Sequence, residues 1–363
     1  MHFGAIYEMQ VKRPWSPTSE YDAYWNCLEQ AVVAEQAGFT HIWAVEHHFR
    51  EEHSHMGAPE VWLAAVAQHT NEIRLGQGIA LLPIPFNHPI RVAERAGALD
   101  ILSRGRFELG TGRSVVELEL DGFCVESGDS RAMWEESITF LQKLWSAGGE
   151  PIDFDGKYFS MPSRRVFPRP IQEPHPPMWM AATSPGSYEV AGEFGLGVLA
   201  FGMATKKEAM ARRISEWRGA LNATTRPVAV KNYQAGVMLM TYCAPTRKQA
   251  RKIAEEAFVD FLDHSIDVFV RWGDKKELPP GYEWYAEVAK KAKRQSGQEK
   301  FDYLLENGMV LVGTPDEIAQ NVEDYRQCGA TQVITLTQLG HISQSDALDS
   351  IRLFGKEVIP QFQ

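Results

Sequence analysis

The sequence predicts a closed α/β fold, a (β/α)8 TIM barrel with insertions and a mobile lid loop. Three observations carry that expectation. Short β-rich runs alternate with longer helical patterns eight times in one order over 363 residues, the rhythm of parallel strands with helices outside them. That length exceeds an average domain but suits one large barrel with insertions. No internal repeat and no linker divides the chain, so residues 1–363 read as a single domain.

The first strand is "FGAIY" (Phe3–Tyr7). A helix around Tyr24–Ala37 follows, with Leu28, Ala31, Val32 and Glu35 at helical spacing and Gly38 placed to close it. "HIWAVE" (His41–Glu46) is the second strand and "EVWLAAVAQHT" the next helix. "IRLGQGIALL" (Ile73–Leu82), a helix over Ile90–Leu102 and "GRFELGTG" (Gly105–Gly112) continue the alternation. The last four strands are "MWMAA" (Met178–Ala182), "GVLAF" (Gly197–Phe201), "GVMLMTYCA" (Gly236–Ala244) and "TQVITLT" (Thr331–Thr337). Two stretches break the rhythm. Residues near 148–177 are rich in proline and glycine, with a hairpin expected at "IDFDGKYFSMP". Residues near 264–300 carry "GDKKELPPGYEW" and "AKKAKRQSGQ" after the seventh strand–helix unit, where a long polar insertion is placed to act as a lid.

Composition removes several function classes. Lys+Arg number 37 against 47 Asp+Glu, a net charge of −10 with no long run of one sign. Nucleic acid and anionic membrane are therefore not expected partners. Cys27, Cys124, Cys243 and Cys328 stand far apart with no CxxC pair, the usage of a reduced protein. The start "MHFGAIYEMQ" lacks a signal-peptide pattern, and no apolar run approaches the ~20 residues of a membrane span. A cytoplasmic chain is the expectation.

The densest polar stretch is "VEHHFREEHSH" (Val45–His55), with four histidines and three glutamates. In a barrel, residues at the C-terminal ends of strands form the site. Glu46, His47 and His48 stand where the second strand runs out. Side chains alternate along a strand, so one of the adjacent histidines faces the mouth and the other packs sideways. HExxH is absent and no usual zinc spacing is met, so no metal site is expected. His53 and His55 read as loop residues. "ELGTGRS" (Glu108–Ser114) offers a forked guanidinium, Arg113, beside small residues, either a phosphate contact or a turn with a surface arginine. After "MWMAA", Thr183, Ser184 and Ser187 surround a helix start, which suits a phosphate. Simple N-capping accounts for one of these hydroxyls. "GQGIALLP" (Gly76–Pro83) is apolar and glycine-punctuated, fit for a flat ring or marking a bulge.

Together these stretches resemble the bacterial luciferase-like (alkanal monooxygenase-like) flavin-dependent monooxygenases. The likeness rests on "AGFTHIWAVEHHF", "LGQGIALLPIPFNHPIRVAERAGALDILSRGRFELGTGR", "PMWMAATSPGSYEVAGEFG" and the late "VGTP", and weakens between about Thr205 and Met309. It implies a β/α-barrel, reduced FMN from a separate flavin reductase, and attack of O2 on the flavin. The resulting flavin hydroperoxide would pass one oxygen atom to a small organic substrate. It also implies a homodimer. By position, His47 corresponds to the catalytic histidine beside the flavin ring and Arg113 to an arginine at the FMN phosphate. Thr183, Ser184 and Ser187 correspond to the phosphate-side positions after the fifth strand. Gly78 and Ile79 correspond to the segment against the isoalloxazine, where the family can carry a cis peptide. The lysine-rich insertion corresponds to the family's lid. Gly112 stands where the luciferase α chain has a reactive cysteine, and Thr183 where it has an acid, so light emission is not implied. Two alternatives remain on this fold: a deazaflavin-dependent oxidoreductase working by hydride transfer, and a non-catalytic flavin-binding partner subunit.

Overall fold

Eight parallel strands close on themselves in the computed structural model, which describes residues 1–279, 281–292 and 297–363. In chain order β1 (His2–Tyr7), β2 (His41–Ala44), β3 (Arg74–Leu81) and β4 (Phe107–Gly112) pair as neighbours. An antiparallel hairpin, β5 (Ile152–Asp155) with β6 (Ser160–Arg164), intervenes where the sequence placed it. The ring continues through β7 (Met178–Ala182), β8 (Gly197–Phe201) and β9 (Ala235–Cys243). Short β10 (Leu311–Gly313) extends the far end of β9, and β11 (Gln332–Leu336) joins β9 to β1 to complete the closure.

The helices in chain order are α1 (Ser19–Gln36), α2 (Pro59–His69), α3 (Pro89–Leu102), α4 (Glu117–Gly122), α5 (Ser130–Ser146) and α6 (Pro185–Glu193). Then come α7 (Lys207–Ala223), α8 (Arg247–Asp274), α9 (Glu283–Ala292), α10 (Gly297–Glu306), α11 (Pro315–Gln327) and α12 (Gln344–Glu357). Local chemistry sets their ends. Gly38 closes α1 with φ +89°, a conformation glycine enters without steric cost. Thr314 and Glu317 form a reciprocal capping box on α11. Among the described residues no helix is long and apolar enough to cross a membrane.

Two expectations are corrected. The second strand ends at Ala44 rather than Glu46, so Val45–His48 leave the sheet before the histidines are reached. The insertion near 264–300 is not a loop: α8 runs on through Asp274, and α9 and α10 fold back beside it. Residues 280 and 293–296 of that insertion lie outside the described residues. Polarity misled here, because one apolar face suffices to dock an amphipathic helix. Trp272, Tyr282, Tyr285 and Ala286 bury that face against Leu120 and Val125.

The barrel interior is filled rather than open. Trp43 packs edge-on to Trp179, with ring centroids 5.3 Å apart at 85°. Gly76 makes room for it: a Cβ there would sit 2.1 Å from Trp43 Cε3. Deeper in the barrel, buried Glu108 accepts from Trp179 Nε1 at 2.7 Å, pairs with Arg74, and lies 3.3 Å from His41 Nε2. Burial alone would raise this carboxyl, but His41 and Arg74 outweigh it and hold it below the ordinary carboxylate range. A depressed carboxylate stabilises the fold above its ordinary pKa of about 4.3, and that contribution fades as pH falls through the folded value. Glu108→Gln should cost about 3 kcal/mol in denaturant melts near pH 7, because it breaks an ion pair whose carboxylate is buried. The gap between variant and wild type should narrow below about pH 4. A gap that stays constant with pH would remove Glu108's charge from the account.

Candidate active site

The cavity at the C-terminal mouth draws on several strand ends. Just past β1, Glu8 is buried; just past β2, Val45, Glu46 and His47 enter the mouth. His47 is held at both ends: its amide donates to Met56 O at 3.0 Å, and Nδ1 meets Glu119 Oε1 at 2.7 Å. Glu119, on α4, also accepts from the His48 amide at 3.1 Å and from Ser114 Oγ at 2.6 Å. Burial would raise the Glu119 carboxyl, but His47, Ser114 and the His48 amide together hold it below the usual range. An ionised carboxylate only accepts, so the Nδ1 proton points at Glu119 and Nε2 faces the cavity. His48 packs sideways, as expected, at 4.8 Å from the Phe123 ring, with Nε2 on Glu46.

His53 corrects the sequence reading. It lies in a turn, as read, but it is buried and lines the cavity wall: its ring stacks on Phe261 at 4.6 Å and meets His47 edge-on at 5.6 Å. Burial, with the nearby Arg50 and His47 charges, pushes its pKa well down, so it is neutral at pH 7. Glu8 Oε2 lies 3.8 Å from His47 Nε2 and 3.7 Å from His53 Nε2, with no hydrogen-bond partner among the described residues. Burial lifts the Glu8 carboxyl above its ordinary value against the pull of His47 and Arg50.

Gly78, Ile79, Arg113, Thr183 and Ser187 line the same cavity as His47, while Ser184 lies beside it at the start of α6. The Gly78–Ile79 peptide is cis, and with Ile6, Val45 and Leu199 it forms an apolar wall. Ser184 is the N-cap of α6, yet its hydroxyl caps nothing; it meets Ser187 Oγ at 2.8 Å. Arg113 donates to Ser130 Oγ at 3.2 Å and Gly281 O at 3.3 Å, with its guanidinium 4.5 Å from the Tyr282 ring centroid. Among the described residues no carboxylate pairs with it. Tyr285, from α9, lines the same cavity as Arg113 and Thr183, with its hydroxyl beside Ser184 and Thr183. One cation and four hydroxyls thus gather where a phosphate would be received.

Sequence reasoning missed Glu8, His53, Glu119 and Tyr285. Glu8 follows the first strand directly, so the strand-end rule that found His47 could have found it. Glu119 sits in "ELELD", which reads as a solvated acidic face. No local signal marks Tyr285.

The model of the luciferase-like monooxygenase family matches residues 1–332. The 4-hydroxyprotoasukamycin monooxygenase of Streptomyces nodosus subsp. asukaensis is 26% identical, over 93% of this chain and 86% of its own. The F420-dependent hydroxymycolic acid dehydrogenase of Mycobacterium tuberculosis is 34% identical over 48% of each chain. The oxygenating constituent of 3,6-diketocamphane monooxygenase from Pseudomonas putida, solved with FMN, superposes with a TM-score of 0.80 at 20% identity, over 100% of this chain and 99% of its own. Flavin and deazaflavin enzymes both stand among these neighbours. With the family model spanning most of its length, this chain belongs to the luciferase-like monooxygenase family and is an oxidoreductase.

Proposed function

We propose that this chain is the oxygenase component of a two-component monooxygenase. It takes reduced FMN from a separate flavin reductase and inserts one atom of O2 into a small organic substrate. The observation that carries the reading is His47: Nδ1 is locked on Glu119 while Nε2 faces a cavity that also holds Arg113, Thr183 and Ser187. The residues fit the cofactor. Arg113, Thr183, Ser184, Ser187 and Tyr285 form a donor set suited to a phosphate, and the apolar Gly78–Ile79 wall suits an aromatic ring. The FMN bound by the diketocamphane oxygenating constituent and the monooxygenase activity named for the Streptomyces relative support the same choice.

Reduced FMN, when bound, supplies the electrons that activate dioxygen for transfer of one oxygen atom. The chain's own groups do the rest. Arg113 and the hydroxyls anchor the phosphate. Ile6, Val45, Ile79, Leu199 and Met238 keep water from the reacting face. His47 Nε2 holds or delivers a proton, and Glu119 keeps the ring turned to do so. Phe201 and Phe261 give the substrate an apolar wall.

A deazaflavin-dependent dehydrogenase is the second reading, favoured by the 34% identity to the mycobacterial enzyme. Oxygen uptake separates the two. Reduced FMN with a panel of aldehydes, ketones and N-heterocycles should give uptake coupled to an oxygenated product. Alcohol oxidation with F420 and no uptake would replace the proposal.

Three variants test the roles. His47→Ala should lower turnover by roughly 100-fold or more while FMN affinity holds, since acid–base groups contribute on that scale. Glu119→Gln should lower kcat by about tenfold or more with KM nearly unchanged; a change confined to KM would deny it a positioning role. Arg113→Ala should weaken FMN binding by about 10- to 100-fold, from the loss of charge-assisted hydrogen bonds. Riboflavin, which lacks the phosphate, should bind both proteins alike, and equal loss for the two flavins would move Arg113 away from the phosphate.

A further inference from the structure

The Glu8, His47 and His53 cluster carries more than proton chemistry explains. Three donor atoms, one from each side chain, lie within 4.8 Å of one another. Glu8 Oε2 is buried and unpartnered, and both imidazole Nε2 atoms stand at 3.7–3.8 Å from it. Each histidine is oriented from its other nitrogen. His47 Nδ1 is bound to Glu119 at 2.7 Å, and His53 Nδ1 faces Ser265 Oγ at 3.4 Å. Outer partners on Nδ1 with Nε2 turned inward are how proteins present imidazoles to a metal.

We propose that Glu8, His47 and His53 form a three-ligand site for Zn2+ or a similar divalent transition ion, and that its occupancy withdraws His47 from catalysis. Metal–ligand lengths of about 2.0–2.2 Å at tetrahedral angles put ligand atoms roughly 3.4 Å apart. The two edges to Glu8 therefore need only a small contraction, within reach of side-chain rotation. Two histidines and a carboxylate are a common divalent set, and the fourth position opens to the cavity. Glu8 and Glu119 set carboxylates beside the two imidazoles, which favours a dication. The spacing His47–His53 matches no linear zinc motif because Glu8 comes from a different strand end, so the sequence hid the set. An ion here takes the Nε2 lone pair that the proposed oxygenase uses. The inhibition rests on that reading; the binding does not.

The test uses the EDTA-stripped full chain. Calorimetry with Zn2+ should give one saturable ion per chain, and Co2+ should give the intense visible bands of four-coordinate cobalt. Glu8→Gln and His53→Asn, each checked for an unchanged melting curve, should weaken binding by roughly 100-fold, whereas Glu119→Gln should weaken it by about tenfold, as for an outer partner. The half-buried cluster of Glu52, Asp260, His264 and His341 is the competing place for an ion, so His264→Ala with His341→Ala should leave the ion bound. No saturable ion at micromolar concentration, binding that survives Glu8→Gln and His53→Asn, or binding lost with His264 and His341 would each overturn the site. In the oxygen-uptake assay, Zn2+ should inhibit wild type and spare His53→Asn. Zn2+ binding at Glu8 and His53 without inhibition would sink the inhibitory role alone, and would point back at His47's part in the proposed reaction.

Discussion

The site depends on one buried carboxylate, Glu46. Its Oε2 accepts the Leu81 amide at 2.9 Å, and its Oε1 accepts Asn87 Nδ2 at 2.8 Å and lies 3.2 Å from His48 Nε2. Asn87 in turn reaches Leu81 O at 2.9 Å and receives Arg95. A carboxylate out of water is tolerable only with its lone pairs engaged. Satisfying Glu46 therefore ties the end of β2 to the end of β3 and the approach to α3. His47 is the next residue, and Gly78–Ile79 lie within the tied segment. The imidazole and the flat wall face one cavity because of a residue that itself turns aside.

A second tie comes from β4. Arg113 and Ser114 are neighbours, yet they serve different groups: Arg113 turns to Ser130 and Gly281, Ser114 to Glu119. Ser114 has φ +60°, a left-handed conformation that costs roughly 1–2 kcal/mol outside glycine. Its hydroxyl offsets that cost by bonding Glu119 and the Val116 amide at 3.1 Å. One strained turn thus splits the guanidinium proposed to hold a phosphate from the carboxylate that sets the His47 tautomer. Strain of this kind collects where geometry serves chemistry.

The helical insertion reaches the candidate anion site. Tyr282 stacks beside Arg113 and shares a hydrogen bond with Ser130 at 3.2 Å, while Tyr285 reaches Thr183 and Ser184. The described residues of the expected lid are helical, and two of its tyrosines meet the candidate anion site.

The sequence by itself determined the barrel, because parallel strands and outer helices leave a periodic trace that local patterns preserve. It also pointed to His47, Arg113, Thr183 and Ser187, which line one cavity, since each lies at or soon after a strand end whose position is a local property. Only the tertiary structure decided that His53 is a wall, that Glu119 sets the tautomer of His47, and that Glu8 completes a triad with two histidines. Those relations join residues 72 apart, in the case of His47 and Glu119, across separate strand ends. Neighbouring residues in the chain do not encode them. Barrel closure does, by bringing the ends of β1, β2 and β4 to one mouth.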